Sequence, residues 1–180
     1  MDPRSDEPKL LRQASQGDKD ALAELYERYV DAIYRFMLYR TRDHALAEDL
    51  TAEVFAQVIQ SIHRYEERGL PFGAWLFAIA RARLVDHIRR QKRRPVAPAS
   101  DLLCLPDKQA EAAPEQVLDE VQFLSLLHPL TERQREAVLL RFVGELSHAE
   151  IAEVTGSTAN AVKQLMYRAL NRLRKALEEP

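Results

Sequence analysis

The stretch S-H-A-E-I-A-E-V-T-G-S-T-A-N-A-V-K-Q-L-M-Y-R-A-L-N-R-L-R-K-A-L, from Ser147 to Leu177, decides how this chain folds. Ser147 followed three residues later by Glu150 is a capping box, so a helix starts there. Ile151, Ala152 and Val154 supply its inner face. Gly156 offers the left-handed conformation that ends it. Thr158 can cap a second helix, in which Val162, Leu165, Met166, Ala169, Leu173 and Leu177 recur at helical spacing. A short helix, a tight glycine turn and a longer helix make a helix-turn-helix. Opposite the apolar seam stand Asn160, Lys163, Gln164, Tyr167, Arg168 and Arg172, with no acid between Thr158 and Leu177. Amides and cations on the outer face of a second helix suit the DNA major groove. An ordinary helical hairpin with a solvated basic face is the competing reading.

The remaining sequence has the composition of a helical protein. Its 180 residues include only five glycines, while charged residues make up 30%. The length allows one domain or two small ones. A net charge of -2 argues weakly against a DNA binder until the signs are mapped. Between Arg81 and Arg94 lie Arg81, Arg83, Arg89, Arg90, Lys92, Arg93 and Arg94 against Asp86 alone. Acids gather instead at Asp43, Glu48, Asp49 and Glu53, and again at Glu111, Glu115, Asp119 and Glu120. Phosphates feel a local patch, so this segregation matters more than the sum. Cys104 is the single cysteine, which excludes an intrachain disulfide and fits a reducing compartment. The polar, acidic start is no signal peptide, and no apolar run reaches membrane-spanning length. A soluble cytoplasmic protein without membrane insertion is expected.

Taken in order, Leu10 to Ala14 reads as a short helix ending near Gly17. Asp18 then caps a longer helix with Leu22, Leu25, Tyr26, Tyr29, Ile33, Phe36 and Met37 as its apolar stripe. After the break at Thr41-Arg42-Asp43, a third helix runs to about His63, with Ala47, Leu50, Val54, Val58 and Ile62 inward. Its other face shows Glu48, Asp49, Ala52, Glu53 and Gln57. Acids near a helix start are favoured by its dipole, but Glu53 lies too deep for that explanation. Tyr65 to Pro71 is a loop, and Phe72 to Arg94 a fourth helix. Trp75, Leu76, Ile79, Leu84, Val85 and Ile88 form its apolar side. An aromatic loop running into a basic helix suits a single nucleic-acid strand, held by stacking and cationic grooves. Four prolines between Arg94 and Pro114, without helical period, mark a linker. Helix resumes from Val117 to Leu127, Thr131 and Gln134 form a second capping box, and Gly144 turns the chain into the helix-turn-helix. No strand signal is present.

Enzymatic signals are missing. No two of the five histidines share an i, i+4 spacing, and no glycine-rich phosphate loop or nucleophile elbow occurs. Neither a catalytic residue, a metal site nor a cofactor is expected.

Four stretches together resemble a known family. They are A-E-D-L-T-A-E-V-F (Ala47 to Phe55), W-L-F-A-I-A-R-A-R-L-V-D-H-I-R-R (Trp75 to Arg90), L-T-E-R-Q-R-E-A-V-L-L-R-F (Leu130 to Phe142), and L-S-H-A-E-I-A (Leu146 to Ala152) leading to V-K-Q-L-M-Y-R-A (Val162 to Ala169). In this order they resemble a bacterial RNA polymerase sigma factor of the extracytoplasmic-function (ECF) branch of the sigma-70 family. The resemblance implies an all-α fold of two small helical domains joined by a flexible linker. Residues 1–94 would be sigma region 2, 95–114 the linker, and 115–180 sigma region 4 with its helix-turn-helix.

It further implies a non-catalytic initiation subunit, stress-responsive and held by an anti-sigma factor. Glu48, Asp49, Glu53 and Phe55 would dock on the clamp helices of the polymerase largest subunit, and the flap would be a second polymerase contact. Tyr65, Arg68, Phe72, Trp75, Arg81, Arg83, Arg89 and Arg90 would open and hold the minus-ten DNA. Thr158, Asn160, Lys163, Gln164, Tyr167, Arg168 and Arg172 would read the minus-thirty-five element. The chain departs from the family pattern at several positions. Ala52 stands where Gln is usual, Ala82 where Asn is usual, and Thr155 and Ser157 where apolar residues fill the turn. Leu165 and Leu170 replace basic residues of the second helix. A stand-alone helix-turn-helix regulator explains Ser147 to Leu177 but leaves the acidic face and the basic helix unexplained. A helical scaffold explains neither basic surface.

Overall fold

The structure is a computed structural model that describes residues 6–65, 70–93 and 122–178. Arg68, Cys104 and the expected linker 95–114 lie outside the described residues. Among those described, the secondary structure is helical without a strand. The helices are α1 (Glu7–Ser15), α2 (Lys19–Thr41), α3 (His44–Ser61), a 3₁₀ turn (Ile62–Arg64), α4 (Phe72–Arg93), α5 (122–127), α6 (Glu132–Phe142), α7 (His148–Thr155) and α8 (Ala159–Glu178).

The caps form where the sequence places them. The Asp18 carboxylate accepts from the amides of Asp20 (3.0 Å) and Ala21 (3.2 Å), and that of Asp43 from Leu46 (3.0 Å). Thr131 with Gln134 and Ser147 with Glu150 are reciprocal capping boxes. Gly17 (φ 90°) supplies the left-handed residue between α1 and α2. Arg42 does the same after α2 at φ 59°, its amide bonding the Leu38 carbonyl at 2.7 Å. A non-glycine C-cap of this kind has no strong sequence signature.

In the N-terminal half, α2, α3 and α4 bury Ile33, Phe36, Met37, Leu50, Leu76, Phe77 and Leu84. The Phe36 and Phe77 rings meet edge to face at 5.5 Å. Helix α1 is longer than the expected Leu10 to Ala14 because Asp6 and Glu7 extend its anchoring. Asp6 takes a bidentate hydrogen bond from Arg28 (2.8 and 2.6 Å), while buried Glu7 accepts from the Tyr29 hydroxyl. In the C-terminal half, Leu139, Leu140, Ile151, Val162, Met166 and Ala169 bring α6, α7 and α8 together. The two halves share one continuous core, with α4 against α7 and α2 against α6. Gly144 lies at this junction: a Cβ there would stand 3.0 Å from the Phe77 ring and 2.8 Å from the Leu140 carbonyl oxygen.

Candidate nucleic-acid interface

Helix α7 ends on Gly156 at φ 66°, ψ 39°. Ser157 N–H donates to the Ala152 carbonyl (2.8 Å) and Gly156 N–H to Glu153 (3.4 Å), closing a Schellman turn. The Thr158 hydroxyl accepts from the Ala161 amide at 3.2 Å and starts α8. Thr155, polar where the family pattern is apolar, turns its hydroxyl back to the Ile151 carbonyl at 2.7 Å. Its polarity is thereby satisfied inside the helix and costs the turn little.

This turn aims α8 outward. Thr158, Asn160, Lys163, Gln164, Tyr167, Arg168 and Arg172 are all exposed, and Tyr167 is 66% exposed despite its aromatic ring. Asn160, Lys163, Gln164 and Tyr167 fall on neighbouring turns of one face, at the end of the helix that a major groove admits. Arg172 is partly engaged, donating to the Gln134 side-chain oxygen at 3.1 Å and so tying α8 to α6. Leu165 is half-buried and Leu170 is 47% exposed, so the two apolar replacements differ: one serves the seam and the other faces water.

A second basic surface lies along α4. At its start, Tyr65, Phe72 and Trp75 form a ring cluster with centroids 5.1 to 5.7 Å apart, and Tyr29 meets Phe72 at 5.4 Å. The Tyr65 hydroxyl donates to the Leu70 carbonyl at 3.1 Å, drawing together the two ends of the loop. Phe72 is only 1% exposed, so the residue placed on minus-ten DNA is a core anchor here, with no face open to a base. Tyr65 and Trp75 are half-buried and keep partial faces. Along the helix, Arg83 donates to Gln57 of α3, and Arg81 to Glu136 of α6 at 3.1 Å. Arg89 and Arg90 are exposed near Asp86.

The third surface is α3. Glu48, Asp49, Ala52 and Glu53 are exposed along one face, which Ile59 continues at 61% exposure. Neither Asp49 nor Glu53 has an ion-pair partner among the described residues. Phe55, expected with them on the docking surface, is instead 7% exposed and packs edge to face on Tyr26 at 4.7 Å. It supports the helix rather than presenting itself.

Sequence reading missed the charges between the halves: Arg40 and Arg81 on one side, Glu132 and Glu136 on the other. The i, i+4 pair of acids on α6 was visible, but nothing local identifies a partner half a chain away. Among the described residues no His, Cys, Asp or Glu cluster could hold a metal ion, and no helix is long and apolar enough to cross a membrane.

Comparison with known proteins places the chain in a family. Residues 25–94 match Sigma-70 region 2, and residues 120–173 match Sigma-70, region 4. The ECF RNA polymerase sigma factor SigD of Mycobacterium tuberculosis is 34% identical over 174 residues, covering 92% of this chain and 81% of the relative. BldN of Streptomyces coelicolor, also an ECF RNA polymerase sigma factor, is 36% identical over 174 residues, covering 94% of this chain but 65% of its own length. Among solved structures, RpoE of Bartonella quintana in complex with the anti-sigma factor NepR superposes with a TM-score of 0.70 at 25% identity, covering 87% of this chain and 96% of that one. CnrH in complex with the cytosolic domain of CnrY has the same fold, with a TM-score of 0.71 at 23% identity, covering 94% and 95%.

Proposed function

The chain belongs to the ECF branch of the sigma-70 family of bacterial RNA polymerase sigma factors, and from that premise we propose how its three surfaces divide the work of promoter-specific initiation. The exposed acids Asp49 and Glu53, with Glu48 beside them, dock on a basic helical surface of core RNA polymerase. The loop before α4, with Tyr65 and Trp75 at its mouth and Arg83, Arg89 and Arg90 beyond, engages the minus-ten strand by stacking and phosphate contacts. Asn160, Lys163 and Gln164 read minus-thirty-five base edges, while Arg168 and Arg172 grip phosphate. Residues 1–94 carry the first two tasks and 115–180 the third. The protein acts without catalysis of its own, in the compartment that holds polymerase and DNA. An anti-sigma factor is a further proposed partner, on the analogy of the Bartonella RpoE complex.

The observation that supports this reading most is the joint presence of an exposed acidic helix face and two separate basic surfaces in one small chain. A stand-alone DNA-binding regulator needs only one of the three. Mixing the purified chain with core RNA polymerase tests the proposal: co-elution on gel filtration is expected, and separate elution at micromolar concentration contradicts it.

A further inference from the structure

Three guanidinium groups converge on one cavity where α4, α6 and α8 meet. The cavity has a volume of about 390 Å³ and is lined by Arg81 of α4, Arg133 and Glu136 of α6, and Arg168 of α8, over a floor that includes Ile151 and Val162. That volume falls among small-ligand pockets, which run from roughly 300 to 1,000 Å³.

The charges in it do not balance. Among the described residues, Glu136 is the single carboxylate of the lining, and it accepts from Arg81 only at Nε, 3.1 Å away. The terminal nitrogens of Arg81 make no other hydrogen bond among the described residues. Arg168 turns its Nε to its own helix, at the Gln164 carbonyl (3.3 Å). Arg133 has neither a hydrogen bond nor an ion pair among the described residues. Glu136 is itself shared with Arg40 at 3.6 Å. Three cations thus face one carboxylate that already serves a fourth. The Glu136 side chain is 12% exposed and that of Arg81 34%, so water screens the cluster incompletely. A cleft lined by one sign of charge over an apolar floor concentrates the opposite sign in solution. Gly156 and Ser157 at the rim bring the N-terminal end of α8 to the same space, and its dipole adds partial positive charge.

The free donors select the shape of the anion. A guanidinium fork pairs with two oxygens of one phosphate or carboxylate. Here the forks come from three helices, so a ligand must offer anionic oxygens in more than one direction. Two linked phosphates do so, and a single carboxylate does not. We propose that this cavity is a binding site for a small oligophosphate anion of the class of pyrophosphate, held by Arg81 on one side and by Arg133 and Arg168 on the other. The site adds a small-molecule ligand to the promoter roles given above and does not depend on them. Because Arg81 belongs to the N-terminal half and the other two arginines to the C-terminal half, the bound anion bridges both, and its binding stabilises the folded chain by mass action.

Calorimetric titration of the full chain with inorganic pyrophosphate, at constant ionic strength, tests the proposal. One site per chain is expected. Arg81→Gln and Arg133→Gln, taken from opposite halves, should each weaken binding by about tenfold with circular dichroism unchanged, as loss of a hydrogen bond to a charged group requires. Lys19→Gln, which removes an equal charge at an exposed position of α2, should bind as the wild type does. Pyrophosphate should also raise the melting temperature of the wild type and leave that of Arg133→Gln where it was. Equal weakening in all three variants would reduce the effect to general charge attraction and overturn the site, as would the absence of binding to the wild type. A random-sequence DNA duplex supplies the other source of phosphate. If Arg133→Gln weakens binding of the duplex while pyrophosphate fails to bind the wild type, the arginines contact nucleic acid alone and the small-anion site is overturned.

Discussion

Gln164 and Arg168 stand one turn apart on α8, both exposed, and the proposed function gives them different tasks. A side-chain amide can pair with two atoms of a base edge, whereas a guanidinium late in the helix more readily meets phosphate. Gln164→Ala should relax preference at one or two minus-thirty-five positions at a cost of about 1–3 kcal/mol. Arg168→Ala should weaken all sequences alike and flatten the salt dependence, which binding isotherms across a promoter library at several salt concentrations would check. At the other end of the chain, Arg28 holds the Asp6 carboxyl below its ordinary value of 3.8, chiefly by hydrogen bonding. A lowered folded pKa contributes stability that is present above that value and lost as pH falls through the folded one. Asp6→Asn should therefore reduce stability at pH 7 and by progressively less as pH falls below 3.8, as measured by denaturant melts across that range. The residues legible in advance were those with local jobs: Asp18, Ser147 and Gly156 act within four positions of themselves. The burial of Phe55 and Phe72 was not legible, because it depends on the neighbours Tyr26 and Tyr29, remote in sequence.

The account of α3 belongs to the element. Asp49 and Glu53 are four residues apart, hence on one face, and that face is acidic and has no ion pair at either residue among the described residues. A DNA-binding role is excluded for it by sign, and a core helix would not expose Ile59 at 61%. Reversing both acids to lysine should abolish binding to core polymerase while leaving circular dichroism unchanged; retained affinity would show that the face is merely solvated. Amphipathic period made every helix of the N-terminal half legible from α2 onward, because apolar stripes record burial directly. The length of α1 was less legible, since its first turn is fixed by Arg28 and Tyr29, each 22 residues away.

At the scale of the whole molecule, two small helical domains could be read from sequence, but not their docking into one core. Side chains at the junction, Phe77, Leu140 and Gly144 among them, look like ordinary core positions of their own half. Only the fold shows that Gly144 is small because Phe77 approaches it from the other half. Gly144→Ala should lower the melting temperature and loosen the docked halves, at roughly 1–3 kcal/mol, since either the Leu140 carbonyl or the Phe77 ring must move. An unchanged thermal melt would show that the junction has slack. The central claim is met most directly by run-off transcription with purified core enzyme over a library of promoter sequences, with and without this chain. Addition of the chain should produce discrete transcripts from a subset of templates sharing minus-ten and minus-thirty-five sequences. Transcription that stays at the level of core enzyme alone on every template, with the chain bound to DNA by itself, would contradict it.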